Sequence, residues 1–346
     1  MSNTYTAVLW NPFKKKYDRI LALAIALIVV SFIGLQFIFD ANITVETLII
    51  RTTSLTAVFL LHFILIIGPL CRLNPSFLPL LYNRRHLGVT MFLFAAVHSI
   101  FCIIQFHALG DINPISSIFL SNTKYLTISQ FPFQVFGFFA FLIFFLMAAT
   151  SHDFWLKNLG PRFWKNMHML VYVAYALIIL HIALGILQYE NKLVYWILLI
   201  VSFGSVAGMH LAAGWKERKW LADQRKYVIE NGYAEICSIN EIPDDCAKTV
   251  FVGGQNIAIF KYDNKLSAVN NVCRHQMGPI GEGKIIDGCI TCPWHGYQYL
   301  PENGQSPPPF TEKLETYQLR LVKDQVWVNP KPNAEGTYVE PVKIGQ

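Results

Sequence analysis

Two stretches near the C-terminal end, "NVCRHQMGP" and "TCPWHGYQY", each set one Cys and one His on a short loop. Cys273 is followed two residues on by His275, and Cys292 three residues on by His295, with sixteen residues between the pairs. Thiolate sulfur and neutral imidazole nitrogen are the side-chain donors that suit zinc and iron. Two loops of this kind closing from opposite sides supply four ligands, and zinc in a Cys2His2 site is one candidate. A zinc finger, however, groups Cys with Cys and His with His and carries the His pair on a helix. Here each loop offers one of each, among Gly and Pro. That division suits a two-iron centre in which two thiolates hold one iron and two imidazoles the other.

The elements that must carry these loops are short and extended. "AEICSI", "TVFVGG", "NIAIFKY", "KLSAVN", "TYQLRLV" and "QVWVN" are rich in β-branched and aromatic residues and are separated by Gly, Asn, Asp and Pro, which predicts a small antiparallel β domain over 231–346. "PENGQSPPPF" is a Pro-rich loop soon after the second Cys/His pair. Cys237, Cys246 and Cys289 fall outside the ligand pattern and read as small apolar residues.

The rest of the chain has a different character. Of 346 residues, 53% are hydrophobic and 14% charged, against about 25% charged in an ordinary soluble domain, and the mean hydropathy is +0.38. The long apolar runs lie before residue 214, at about 20–39, 46–70, 86–107, 131–150, 166–188 and 193–213. Each is long enough to cross a bilayer, which takes roughly 20 apolar residues. No small-residue cleavage site follows the first run, so it reads as a span and not a signal peptide. The expected fold is therefore multi-domain: a six-helix transmembrane bundle over 1–214, a basic and aromatic interfacial hinge over 215–230 ("GWKERKWLADQRK"), and the all-β domain.

Lys and Arg are asymmetric across these spans. Lys14, Lys15, Lys16, Arg19, Arg72, Arg84, Arg85, Lys157, Arg162, Lys165, Lys216, Arg218 and Lys219 fall on one side, against Lys124 and Lys192 on the other. This predicts a multi-pass protein of a bacterial-type inner membrane with both termini cytoplasmic. It also accounts for the net charge of +6 without a nucleic-acid partner.

Eight of the ten His lie in this apolar part, where ionisable residues are costly and functional by default. Facing His on bundled helices can hold haem between two axial imidazoles. His86 and His168 sit at the same-side ends of the third and fifth spans. His98 and His181 lie 12 and 13 residues further in, roughly 18 and 20 Å deeper, so the four form two level pairs. Neither spacing returns to one face of an ideal helix, since each leaves a divergence of about 120–140°. Helix tilt or local distortion must supply the difference. His62 of the second span is an alternative to His86. Arg51, Arg84 and Arg85 are candidates for haem propionates. His107, His152 and His210 read as interfacial residues at span ends.

"CRHQMGP" and "CPWHGYQY" resemble Rieske 2Fe-2S domains over about 230–330. The resemblance implies that Cys273 and Cys292 bind one iron and His275 and His295 the other. Rieske domains of quinol-oxidising respiratory complexes carry an extra Cys in each loop, paired as a disulfide; here those positions are Gly278 and Trp294, and a cluster-bonding Ser of that branch is Tyr297. The likeness is thus to the ferredoxin and oxygenase branch, whose clusters sit low in the Rieske potential range. "RRHLGVTMFLFAAVH" and "TSHDFWLKNLGPRFWKNMHMLVYVAYALIILH" resemble the ferric-reductase-like transmembrane family over about 20–190. Within it they are most similar to the haem-bearing membrane subunit of the periplasmic methionine sulfoxide reductase system and, more distantly, to NADPH oxidases. That resemblance implies haem ligands at His98, His168 and His181, with Arg84 where the oxidases have a His and His86 or His62 as the substitute.

A Rieske oxygenase needs a second iron held by two His and a carboxylate, yet the 51 residues after His295 hold no His. The cluster is therefore expected to relay electrons. The expected function is transmembrane electron transfer, from a cytoplasmic reductase or ferredoxin through the 2Fe-2S cluster and one or two b haems to an acceptor at the outer face. A loosely bound flavin or quinone is a further candidate cofactor. The alternatives are inward transfer from a quinol to a cytoplasmic partner, or a membrane-tethered redox sensor without turnover.

Overall fold

The computed structural model describes residues 12–81, 84–185, 187, 193–224, 227–294 and 296–345. The helices are α1 (Pro12–Phe39), α2 (Val45–Leu73), α3 (Arg84–Phe106), α4 (Pro114–Leu120), α5 (Gln134–Ala149), α6 (Asp153–Leu159), α7 (Pro161–His168), α8 (Val171–Leu184) and α9 (Leu193–Gln224), with a 3-10 segment over Pro75–Leu81. Cα packing separates two compact units: a helical one, and a second one that joins the segment after α2 and the end of α9 to all the β-strands.

Among the described residues, five helices are long and apolar enough to cross a membrane: α1, α2, α3, α7 continued by α8, and α9. The expected count of six is not met by length, because α5 has only 16 residues. At about 1.5 Å per residue it reaches roughly 24 Å, short of a hydrocarbon core of about 30 Å. The run 131–150 is shortened at both ends by its sequence. Pro132 precedes the helix, and the Thr150 hydroxyl bonds back to the Leu146 carbonyl at 2.6 Å where the helix stops. The last helix runs longer than expected: residues 215–224 of the anticipated hinge prolong α9.

Of the long helices α2 is the most buried. It tolerates polar residues on its buried face because Thr53 and Thr56 donate to the Ile49 and Thr52 carbonyls at 2.7 and 2.8 Å, which satisfies each hydroxyl inside its own helix. α5 packs closely on α8, and α3 reaches α5 through Phe92 stacked on Phe141 at 5.6 Å.

The long apolar run 161–184 is not one uniform helix. Between α7 and α8, the Leu170 amide bonds to Met167 O at 3.1 Å and the Tyr172 amide to Met169 O at 3.2 Å. These are tight i→i+3 bonds, near three residues per turn.

The β unit contains a four-stranded sheet (order β1-β2-β11-β10), a five-stranded one (β12-β5-β4-β3, with β9 pairing β5) and a three-stranded one (β6-β7-β8). The strands are β1 (Ile229–Glu230), β2 (Tyr233–Ser238), β3 (Ala247–Val252), β4 (Gln255–Tyr262), β5 (Lys265–Asn270), β6 (Lys284–Ile286), β7 (Cys289–Thr291), β8 (Gln298–Tyr299), β9 (Thr316–Tyr317), β10 (Leu319–Val322), β11 (Gln325–Val328) and β12 (Val342–Lys343). The six stretches read as strands fall on β2, β3, β4, β5, β9 with β10, and β11. Two-residue turns with positive φ at both positions, Gly253-Gly254, Asp263-Asn264 and Asp287-Gly288, join β3 to β4, β4 to β5 and β6 to β7, as right-handed strand twist favours. The core between the two larger sheets is built from Val250, Ile257, Ile259, Tyr317, Val326 and Val328, all fully buried.

Candidate redox centres

The two Cys/His loops leave the β unit at equivalent points, one between β5 and β6 and the other between β7 and β8. Their backbones are wired alike. The Cys273 amide bonds to Gly278 O at 2.9 Å and the Met277 amide to Cys273 O at 2.8 Å; the Cys292 amide bonds to Tyr297 O at 2.8 Å and the Gly296 amide to Cys292 O at 2.9 Å. In both loops the fifth residue counted from the Cys has positive φ, Met277 at 57° and Gly296 at 71°. This pair of bonds turns each chain tightly just after its Cys.

Cys273, Cys292 and His275 are buried. The two thiols are within hydrogen-bonding reach of each other, and His275 is within electrostatic reach of Cys273. His295 lies outside the described residues, and no group of three or more metal-binding side chains closes among the described ones. Burial pushes the Cys273 thiol up, but hydrogen bonding with Cys292, the Tyr299 hydroxyl and the His275 amide outweighs it and brings the group down to about 6. An environment that favours the thiolate is the chemistry an iron ligand needs, so the donor set fits an iron–sulfur cluster.

Tyr299 escaped the sequence reading although it stands inside the quoted motif. Its hydroxyl accepts from the Arg274 amide at 3.0 Å, which leaves its proton for Cys273 Sγ at 3.3 Å. Burial and the neighbouring Cys273 push the Tyr299 phenol far above its usual value, which keeps that proton in place. Tyr297 stacks on the His275 imidazole, centroids 5.1 Å apart and planes within 10°. Burial, then the hydrogen bond to Glu312, raises its pKa as well. Gly278 and Trp294 meet face to face, since a Cβ at Gly278 would lie 2.8 Å from the indole. All seven Cys are free thiols.

Within the helical unit, hydrogen bonds sort the histidines. A carbonyl oxygen can only accept, so an imidazole Nδ1 bonded to one carries the proton and leaves its lone pair on Nε2. His98 Nδ1 donates to Ile50 O at 3.2 Å, His168 Nδ1 to Trp164 O at 3.0 Å and His181 Nδ1 to Phe133 O at 3.0 Å. The His168 Nε2 is buried with no hydrogen-bond partner among the described residues. That of His181 has none either, and that of His98 has only the Cys102 sulfur at 3.7 Å.

His62 and His210 have the same tautomer, donating to Val58 O and Val206 O, but their Nε2 atoms accept from the Tyr175 and Tyr172 hydroxyls at 3.0 Å. His86 Nδ1 bonds to the Asp18 carboxylate at 2.9 Å on an exposed side chain. His107 pairs with the Ser117 hydroxyl at 2.9 Å and is buried, unlike the wet interfacial residue expected, while His152 caps α6 through the Phe154 amide.

His98 and His181 lie within electrostatic reach of one another, and His168 lies within reach of Arg84 and Arg85. Arg51 follows the carbonyl that holds His98 and is half-buried. The close approach of α5 to α8 depends on glycine: a Cβ on Gly137 would meet the His181 ring at 2.8 Å, and one on Gly185 would meet His181 O at 2.6 Å and the Phe133 ring at 2.7 Å. The tightened turn at Met169–Leu170 lies between His168 and His181. Thirteen residues at about 100° each fall roughly 140° short of four turns, and each residue in an i→i+3 stretch advances about 20° more. The turn therefore rotates the two imidazoles toward a common face.

A β domain with twin Cys/His loops and a helical membrane unit with three imidazole Nε2 atoms that meet no oxygen or nitrogen partner among the described residues together define a membrane-bound redox protein. Residues 232–318 match the Rieske 2Fe-2S domain family, and residues 52–179 match the ferric reductase like transmembrane component family. The chain belongs to the Rieske 2Fe-2S proteins through the first and carries a ferric-reductase-like transmembrane domain through the second.

Among its relatives, the anthranilate 1,2-dioxygenase ferredoxin subunit of Burkholderia cepacia is 32% identical over 93 residues, 27% of this chain and 86% of that protein. The protein-methionine-sulfoxide reductase heme-binding subunit MsrQ of Ralstonia nicotianae is 31% identical over 131 residues, 38% of this chain and 55% of that one. Among solved structures, the ferredoxin of carbazole 1,9a-dioxygenase from Nocardioides aromaticivorans IC177 is 17% identical, covering 29% of this chain and 98% of its own, with a TM-score of 0.27.

Proposed function

We infer that this chain moves electrons across the membrane, from a cytoplasmic reductase or ferredoxin, by way of the β domain and the imidazole-bearing helices, to an acceptor at the outer face. Membrane electron transfer follows from the two family memberships. The direction, the haem and the acceptor side are the proposal, as are the six-span count, the inner membrane and the cytoplasmic termini suggested by the Lys and Arg asymmetry. A Rieske cluster and b-type haems, when bound, each take up and release one electron. Cys273 and Cys292 would hold one iron and His275 and His295 the other, with the Tyr299 hydroxyl stabilising the Cys273 sulfur. His98 and His181 would hold one haem, their rings fixed by the Ile50 and Phe133 carbonyls, with Arg51 at the propionates. His168 would bind a second, with Arg84 and Arg85 neutralising its propionates. Neither substitute for its partner is favoured: His62 spends both nitrogens on Val58 and Tyr175, and His86 is engaged by Asp18.

The observation that carries the haem reading is the coincidence, at His98, His168 and His181 alone among the membrane histidines whose hydrogen bonds are fully described, of an Nδ1 proton held by a carbonyl and an Nε2 that meets no oxygen or nitrogen partner among the described residues. A second-sphere carbonyl on Nδ1 is how ligating imidazoles are commonly oriented. The deciding experiment is a reduced-minus-oxidised spectrum with a haem-to-iron count on the purified full-length protein. One or two haems per two non-haem irons supports the reading, and a protein with iron but no haem absorption refutes it. Potentiometric titration then sets direction: outward flow requires the cluster midpoint to lie below that of the haem.

A further inference from the structure

The Pro-rich loop after the second Cys/His pair was left without a role by the sequence. In the structure it folds back on the ligand loops. The Ser306 amide bonds to Glu312 O at 2.9 Å and Gln305 bridges to Lys313, so residues 306–312 form a closed flap. Two of its side chains reach Tyr297. The Phe310 ring packs at 4.8 Å, and the Glu312 carboxylate accepts a short hydrogen bond from the Tyr297 hydroxyl. The Thr311 amide also donates to Glu312, at 3.0 Å, which fixes the carboxylate at the ring. On the other side Tyr297 stacks on His275. The order is thus a candidate iron ligand, a buried phenol, and a carboxylate delivered by the flap.

We propose that Tyr297 and Glu312 set the reduction potential of the cluster, Tyr297 as a positioning residue that holds the His275 ring and Glu312 as a fixed negative charge anchored beside it. One-electron reduction adds a negative charge to the cluster. A half-buried carboxylate held nearby raises the energy of the reduced form more than that of the oxidised form and so lowers the midpoint. The inference rests on the reading of His275 as an iron ligand.

The test uses the full chain with its cluster, with redox titration followed by electron paramagnetic resonance. His275→Ala comes first: if the Rieske-type signal persists, the ligand reading fails and this inference with it. If the signal is lost, Glu312→Gln is expected to keep cluster content while shifting the midpoint upward, and Glu312→Asp to restore a near wild-type midpoint. Tyr297→Phe, which keeps the stack and removes the hydroxyl, is expected to shift the midpoint upward in the wild-type background and to add nothing when combined with Glu312→Gln. An unchanged or lowered midpoint in Glu312→Gln overturns the proposal. So does loss of the cluster in Glu312→Gln but not in Glu312→Asp, since the carboxylate would then be holding the fold.

Discussion

The β domain and the helical unit both present imidazoles, and they restrain them by opposite means. In the β domain the candidate ligands ride on loops, and the precision comes from the backbone: the same two amide–carbonyl bonds close each loop, with a positive-φ residue at the same place. In the helical unit the backbone is committed to its own helices. There precision comes from a carbonyl that fixes each ring, from α2 for His98 and from the start of α5 for His181. A loop can thus be specified by a local motif, whereas a ring held between helices depends on packing tens of residues away.

That contrast can be broken most sharply by deleting rings. His98→Ala and His181→Ala are each expected to remove at least one haem per protein in the pyridine haemochrome assay, while His62→Phe retains the full complement. Haem loss in His62→Phe would sink the tautomer criterion. Next, Gly137→Ala leaves every ligand in place but sets a methyl 2.8 Å from the His181 ring. Overpacking of this sort costs about 1–3 kcal/mol, and a several-fold rise in haem dissociation rate is expected.

On the β side, Tyr299→Phe removes a hydrogen bond to Cys273 Sγ and should lower the cluster midpoint by about 40 mV, as follows from the loss of roughly 1 kcal/mol of differential stabilisation in a one-electron couple. The smallest effect compares the twin loops directly. Met277→Gly relieves a left-handed conformation and is expected to raise unfolding free energy by up to about 1 kcal/mol, while Gly296→Ala lowers it by about as much. Chemical denaturation of the two variants with cluster bound measures both.

The same contrast explains what could be read from the sequence. The Cys/His spacing, the six β stretches and the apolar runs are local signals, and all are visible in the chain. β6, β7 and β8, two or three residues each, are too short for periodicity to detect, although they frame the second ligand loop. Tyr299 was legible only with its partner, because its role depends on Cys273, 26 residues earlier. The histidines could be ranked by depth but not by availability: His62 reads as an alternative to His86 until Tyr175 is seen to occupy its Nε2, whereas the Nε2 of His168 has no partner among the described residues. The 13-residue spacing of His168 and His181 looked unfavourable because an ideal helix was assumed. The tightened turn at Met169–Leu170 leaves no composition signal.

The meeting of Gly278 and Trp294 has a consequence for biogenesis. Where related domains staple their two loops covalently, an indole here wedges against bare backbone, and shape complementarity replaces the sulfur–sulfur link. Folding of the loops around the metal therefore requires no oxidant, and reductants that would unstitch a stapled homologue have no bond here to cut.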